Sequence, residues 1–218
     1  MSTAHAHGGH HHPFHAHHFE TLPQQEASAR MGMWLFLGQE LLFFSAVFVA
    51  FFVFQYMYPE GFLEAHRTLS IPLGTLNTLV LLTSSLTMAL AVRNAQLGDN
   101  KGVVKQLGFT IALATVFMIV KYFEYSGKIE KGQLPGQWYT YEGLPEGASI
   151  FFTMYFVMTG LHGLHIVIGI GVLAWILIRA TKNQFSAEYY APVENVGLYW
   201  HLVDLIWIFL FPFLYLIE

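Results

Sequence analysis

The sequence predicts an all-α integral membrane protein, a bundle of five transmembrane helices. Of its 218 residues, 55% are hydrophobic and only 11% are charged, whereas a soluble domain usually carries about 25% charged residues. So little charge would leave the surface of a soluble fold poorly solvated, and we therefore expect lipid as the surrounding solvent. Aromatic residues make up 17% of the chain, which suits lipid-facing helices with aromatic belts at both membrane interfaces.

Five apolar segments are long enough to cross a bilayer. Each exceeds the roughly 20 residues that a helix needs to span the hydrocarbon core, and each should be helical because lipid satisfies no backbone polar group. The predicted spans cover about residues 31–55, 72–92, 103–125, 148–178 and 193–217. We find no internal repeat and no second domain. The Gly- and Pro-rich loop between the third and fourth spans is predicted to be an ordered external cap.

Residues 1–30 are polar and irregular, and eight of them are histidines. This composition cannot bury a core, so it predicts a disordered or extended tail before a transmembrane domain of residues 31–218. Weak chelation of Cu, Ni or Zn by His10, His11 and His12 is the alternative interpretation. The tail contains no apolar stretch, so a cleaved signal peptide is not expected.

The distribution of Lys and Arg favours an orientation with the N-terminus inside and the C-terminus outside. In that orientation the inner segments hold Arg30, Arg93, Lys101, Lys105, Arg179 and Lys182, and the outer loops hold Arg67, Lys128 and Lys131.

Several function classes are excluded by what the sequence lacks. There is no Cys, so disulfides, thiolate metal sites and cysteine nucleophiles are excluded. No Gly-rich phosphate loop, Ser–His–Asp frame or His/carboxylate metal box is present. The net charge of −4 and the absence of a basic run argue against nucleic acid as a partner.

Polar residues inside the spans are the candidate functional residues, because a charge at a helix centre costs about 2.5–3.5 kcal/mol on insertion scales. These residues are Glu40, Lys121, Glu124, His162, His165, His201 and Asp204. Glu40 lies roughly 15 Å past Arg30 at the helical rise, with no cationic neighbour in its own helix. Two interpretations of Glu40 stay open, a protonated side chain bonded to another helix and a role at a lipid or subunit interface.

The spacing of the other candidates pairs them within their helices. Lys121 and Glu124 predict an interfacial ion pair at the outer end of the third span, with a snorkelling Lys. His201 and Asp204 predict a His–carboxylate pair inside the bundle, with a proton-handling role as the alternative.

His162 and His165 also share one face, among glycines that let another helix approach closely. Hydrogen bonds to that helix or to lipid headgroups are favoured over a metal, because no Glu-x-x-His repeat accompanies the two histidines. The surrounding glycines are Gly160, Gly163, Gly169 and Gly171.

Five stretches, in order along residues 30–215, resemble the cytochrome c oxidase subunit III family. They are Arg30-Met-Gly-Met-Trp-Leu-Phe with Glu40-Leu-Leu-Phe-Phe; Leu76-Asn77-Thr78; Glu124-Tyr125; Thr159-Gly160-Leu161-His162-Gly163-Leu164-His165; and Tyr199-Trp200-His201-Leu202-Val203-Asp204 with Trp207.

The resemblance is to the five-helix form of the family, and it implies a subunit of a bacterial plasma membrane oxidase with no redox cofactor of its own. Haem and copper would lie in partner subunits, with subunit I in direct contact and subunit II nearby. Glu40 and Arg30 match residues implied in phospholipid and proton-side contacts, and His162, His165, His201 and Asp204 would organise lipid and the subunit I interface. The subunit would sustain proton uptake during electron transfer from cytochrome c to oxygen.

Some features depart from the family pattern. Lys121 stands where a neutral polar residue is usual, and Pro212 should kink or shorten the last helix. The His-rich tail and the long external loop suggest an extra partner, such as another respiratory complex. Alternatives are a subunit of a ubiquinol oxidase or nitric oxide reductase, a small proton-coupled transporter, and a membrane metalloenzyme.

Overall fold

The computed structural model describes residue 19 and residues 21–217, and within them the chain is helical with short connections. The helices are α1 (Leu22–Met57), α2 (Pro59–His66), α3 (Ile71–Gln96), α4 (Asn100–Glu130), α5 (Ala148–Thr181) and α6 (Ala191–Tyr215), with one 3-10 turn at Gly136–Trp138. Five of these helices, all except α2, are long and apolar enough to cross a membrane. The predicted all-α bundle with five spans is thus confirmed. We call the side at which α1 begins the N-side and the opposite side the far side; N-in orientation stays a prediction.

Helix α1 begins at Leu22, nine residues earlier than the predicted first span. Thr21 precedes it in an extended conformation, and its hydroxyl accepts a hydrogen bond from the backbone N–H of Gln24 at 3.3 Å. A capping hydroxyl and a proline in the first turn start a helix even in polar sequence. The prediction of a disordered or extended tail is therefore wrong for residues 22–30. Residues 1–18, with the chelation predicted for His10, His11 and His12, lie outside the described part of the chain.

Helix α6 lies in the core of the bundle. Trp200 and Trp207 are fully buried, and their indole N–H groups donate to Ser84 Oγ at 3.0 Å and Thr78 Oγ1 at 3.1 Å on α3. Buried Trp side chains need such partners, so these two bonds align α6 with α3. Helix α6 continues one turn past the proline at position 212, to Tyr215.

The far-side loop 131–147 is an ordered cap over the bundle. Gln133 forms a single antiparallel bridge with Tyr139, and the Tyr139 ring stacks on Phe152 of α5 with centroids 5.9 Å apart. A side chain at Gly61 of α2 would collide with the backbone of Glu146. The cap is therefore packed against both α5 and α2.

Candidate functional site

Glu40 and His165 join α1 to α5. The Glu40 carboxylate oxygen Oε2 lies 3.0 Å from His165 Nε2, and His165 Nδ1 lies 2.8 Å from the backbone oxygen of Leu161. A carbonyl only accepts hydrogen bonds, so Nδ1 carries a proton. One further proton is then shared between Nε2 and the carboxyl group, giving either a neutral pair or a His⁺–Glu⁻ ion pair. The sequence missed this partner because it lies 125 residues away.

This pair is near the surface of the bundle. The side chains of His165 and Glu40 are 14% and 13% exposed, and the His165 ring packs edge-on against Phe44 at 5.2 Å. Tyr199 of α6 donates its hydroxyl to the backbone oxygen of His165 at 2.8 Å. Three helices thus meet at a hydrogen-bonded Glu–His pair that is partly open to the outside of the bundle.

Arg30 joins α1 to the beginning of α6 on the N-side. Its Nη2 atom lies 3.4 Å from Glu194 Oε2, and both side chains are partly exposed. A neighbouring N-side cleft of about 250 Å³ opens between α1, α5 and α6 and is lined by Gln25, Glu26, Ala29, Trp175, Tyr189, Ala191, Pro192, Asn195 and Val196. Arg179 packs over the Trp175 ring at 4.9 Å.

His162 has an environment unlike that of its neighbour His165. Its ring is buried between Phe117 and Trp207, at centroid distances of 5.6 and 5.2 Å. Neither ring nitrogen has a hydrogen-bond partner within the described residues. The two histidines therefore serve different contacts: His165 bonds to another helix, and His162 packs in the core.

The glycines around these histidines do not all bring helices together. Gly169 does, because a side chain there would collide with Trp200. Gly163 and Gly171 have nothing within 4 Å of an added Cβ, and Gly160 has only the Tyr125 hydroxyl at 3.9 Å. The expectation of one tight helix pair along this face is wrong, since only Gly169 makes a close approach.

His201 and Asp204 do not bond to each other. His201 Nδ1 lies 2.8 Å from Ser85 Oγ of α3. The Asp204 carboxylate is buried, and neither oxygen has a hydrogen bond of good geometry within residues 21–217, although the Ser85 hydroxyl lies close to it. The predicted direct His–carboxylate pair is wrong, because the hydroxyl of Ser85 on α3 bonds to His201 and lies beside Asp204.

Lys121 and Glu124 do pair, but inside the protein. Lys121 Nζ donates to Glu124 Oε2 and to Tyr215 Oη, both at 2.8 Å, and Tyr215 donates to Glu124 Oε1 at 2.5 Å. Lys121 and Glu124 are only 7% and 8% exposed, and the ammonium lies 4.6 Å from the Trp207 ring centroid. The snorkelling geometry predicted for Lys121 is therefore wrong, because α6 supplies an internal acceptor and an aromatic face.

Two residues of this cluster were missed by sequence reasoning. Tyr215 sits at the end of α6 and nothing in its local sequence connects it with Glu124. Lys128 is one turn after Glu124, a spacing that could have signalled it. Lys128 is buried, and its Nζ lies 5.0 Å from the Tyr155 ring and 5.4 Å from the Phe152 ring. Its burial also explains why α4 extends beyond the predicted end at residue 125.

Within residues 21–217, no three His, Asp or Glu side chains gather into a group that could hold a metal ion. The fold and the polar contacts together define a multi-pass membrane protein whose intramembrane polar groups mostly contact other helices or aromatic rings. Such contacts are typical of polar residues that hold transmembrane helices together.

Comparison with known proteins identifies the family. The family model described as cytochrome c oxidase subunit III matches residues 11–218. The chain is 34% identical over 186 residues to the quinol oxidase subunit 3 of Bacillus spizizenii, covering 85% of each chain. It is 30% identical over 194 residues to the cytochrome c oxidase subunit 3 of Corynebacterium diphtheriae, covering 86% of this chain and 87% of the relative. The chain is also 33% identical over 214 residues to the cytochrome c oxidase subunit 3 of Loxodonta africana, covering 93% of this chain and 73% of the relative. The chain belongs to the cytochrome c oxidase subunit III family of the haem–copper oxidases.

Proposed function

We propose that this chain is an accessory subunit of a proton-pumping terminal oxidase that transfers electrons from cytochrome c to oxygen. It contributes no redox cofactor, and haem and copper belong to its partner subunits. It stabilises subunit I by direct contact, with subunit II as a further partner, in a bacterial plasma membrane. Family membership supports the oxidase, and the Glu40–His165 pair is the observation that supports a role of the polar residues in lipid and proton contacts.

The Glu40–His165 pair attaches α1, the helix with the smallest buried share among the five spans. Loss of the pair would leave a polar group without its partner at membrane depth, where an unsatisfied group costs several kcal/mol. Helix α1 would then loosen, and with it the surface that lipid and subunit I contact. Because one proton of the pair has two possible positions, the pair also suits a role beside a proton-uptake route.

The N-side cleft is proposed to hold a phospholipid headgroup. Arg30 follows the lining residue Ala29, and Arg179 packs over the ring of the lining residue Trp175 while bonding to Gln184 and Tyr189. Arginine binds phosphate through a planar fork of donors. An acyl chain from such a lipid would run along the exposed apolar face of α1, where Leu35 and Leu42 are exposed. In this arrangement His162, His201 and Asp204 maintain the interior of the bundle behind the lipid.

Replacement of Glu40 by Gln and by Ala in the complete oxidase tests the proposal. We expect normal haem spectra and a normal initial rate in both variants, followed by faster loss of activity during turnover. Glu64→Gln is the matched control, because Glu64 makes an exposed ion pair with Arg67 at 2.6 Å on the far side. Unchanged lifetimes of activity in both Glu40 variants would contradict the proposed role, and an altered haem spectrum would contradict a role remote from the redox centres.

A quinol oxidase is the second candidate, because the Bacillus relatives carry that name. Other subunits bind the electron donor, so reduced cytochrome c and ubiquinol should be compared as donors to the purified complex. Co-purification in mild detergent tests the proposed partners, including another respiratory complex. Transport by the isolated chain would instead favour a proton-coupled transporter.

A further inference from the structure

A groove of about 370 Å³ runs between the far-side half of α4 and the middle of α5. Its lining residues are Phe117, Met118, Lys121, Tyr122, Tyr125, Thr159, Gly160, Gly163, Leu164 and Val167. Gly160 and Gly163 both line the groove and place no side chain in it; a Cβ added at Gly160 would meet only the Tyr125 hydroxyl at 3.9 Å, and one added at Gly163 would meet nothing within 4 Å. The groove faces α4, whereas His165 on the same helix faces α1.

We infer that this groove binds one acyl chain of a membrane phospholipid. This site is separate from the N-side cleft of the proposed function and does not depend on it. Its rim opens to the membrane, since Tyr122 is 70% exposed and Leu164 is 54% exposed. A ligand can therefore enter sideways from the surrounding bilayer.

The polar atoms inside the groove already have partners, and the Tyr122 hydroxyl lies at its exposed rim. The hydroxyls of Tyr125 and Thr159 bond to each other at 2.5 Å, and Thr159 also donates to the backbone oxygen of Tyr155. The Lys121 ammonium is held by Glu124 and the Tyr215 hydroxyl. The inner walls therefore offer an occupant mainly apolar contact, which favours a hydrocarbon over a polar headgroup.

The size and direction of the groove favour an acyl chain over a transmembrane helix as its occupant. A helix is at least about 10 Å wide with its side chains, so a volume of this size would hold only about three of its residues. Thr159 and Val167 lie on either side of the middle of α5, about 12 Å apart at the helical rise. Residues 117–125 of α4 lie in the far-side half of that helix, so the groove follows the helix axes from the middle of the membrane toward the far side, which is the course of an acyl chain in one leaflet.

Photo-cross-linking in the complete oxidase tests this site. The complex is placed in phosphatidylethanolamine–phosphatidylglycerol nanodiscs containing a phosphatidylglycerol with a diazirine in the distal half of one acyl chain, and cross-linked peptides are mapped by mass spectrometry. We expect adducts concentrated on residues 117–125 and 159–167. Adducts spread evenly over the exposed faces of α1 and α5 would overturn the inference, as would recovery of only an isoprenoid quinone or detergent from these residues.

Two variants check that the groove itself is responsible. Gly163→Leu fills the groove and should abolish adducts on residues 117–125. Gly171→Leu is the matched control, because Gly171 lies on the same helix with nothing within 4 Å, and it should keep them. Equal labelling of the wild type and Gly163→Leu would overturn the proposal. If Gly163→Leu does not assemble with normal haem spectra, Gly160→Leu takes its place, and the wild-type map decides independently of both.

Discussion

The Lys121–Glu124–Tyr215 cluster should stabilise the protein only as a complete set. Lys121→Met removes the ammonium that lies 2.8 Å from Glu124 and leaves the carboxylate, among the residues that the structure describes, with the hydrogen bond from Tyr215. Glu124→Gln leaves the ammonium without its anion. Both side chains are buried, so solvent cannot compensate for the missing partner.

The size of the effect follows from this burial. Removing one partner of a buried ion pair typically costs about 3–5 kcal/mol, whereas replacing both partners with less polar residues is often neutral. We therefore expect each single variant to be strongly destabilised and the double variant, Lys121→Met with Glu124→Gln, to recover most of the loss. Tyr215→Phe removes a hydrogen bond to charged groups and should cost about 1.5–3 kcal/mol.

The assay is thermal unfolding of the detergent-purified complex. The quantity measured at each temperature is the fraction of this subunit that stays associated with the oxidase. A loss of about 3–5 kcal/mol in stability should lower the midpoint temperature of this transition by on the order of 10 °C in the single variants. Arg67→Met is the matched control, because it breaks the exposed Arg67–Glu64 pair, and exposed pairs contribute about 0–1 kcal/mol. Comparing Lys121→Met with Arg67→Met separates the effect of burial on stability from the effect of losing an ion pair.

Two outcomes would refute this reasoning. If Lys121→Met lowers the transition no more than Arg67→Met does, burial does not govern the energy of the pair. If the double variant is as unstable as the sum of the single variants, the two side chains are not coupled.

Two further predictions concern backbone packing and an unpaired carboxylate. Gly61→Ala should destabilise the subunit by about 1–3 kcal/mol, because its Cβ would collide with the backbone of Glu146 and Ala148. Gly171→Ala, in open space, should be neutral or stabilising because Ala favours the helix; equal effects of the two variants would argue against the packing of α2 on the cap. Asp204→Asn should leave the thermal transition temperature unchanged or raise it, because no hydrogen bond of good geometry to the carboxylate exists within the described residues and the nearby Ser85 hydroxyl can equally donate to an amide oxygen. A fall in that transition comparable with that of Lys121→Met would show that Asp204 has a partner.

Much of the fold could be predicted from local properties of the sequence. Apolar segments of sufficient length must form helices in lipid, because their backbone groups have no other partners. The five spans, the all-α class and the family resemblance carried by the motifs around Glu40, His162 and His201 all follow from such local signals. The start of α1 at Leu22 was missed because a capping Thr and a proline extend that helix into polar sequence, where hydropathy gives no signal.

The polar contacts of the candidate site were harder to predict, because each depends on which helix lies beside which. Spacing within one helix indicates which residues share a face, and this was enough to predict that Lys121 meets Glu124. It did not reveal that Tyr215 completes that pair, or that Ser85 rather than Asp204 would bond to His201. A neighbouring helix supplies these partners.

The sequence by itself determined that this chain crosses a membrane five times and carries a small set of polar residues within its helices, because hydrophobicity and helical periodicity are local properties. Only the tertiary structure decided that His165 hydrogen-bonds to Glu40, and that Gly160 and Gly163 leave a groove rather than a tight contact. The physical reason is that hydrogen bonds and packing gaps between helices depend on the rotation and distance of elements far apart in the chain.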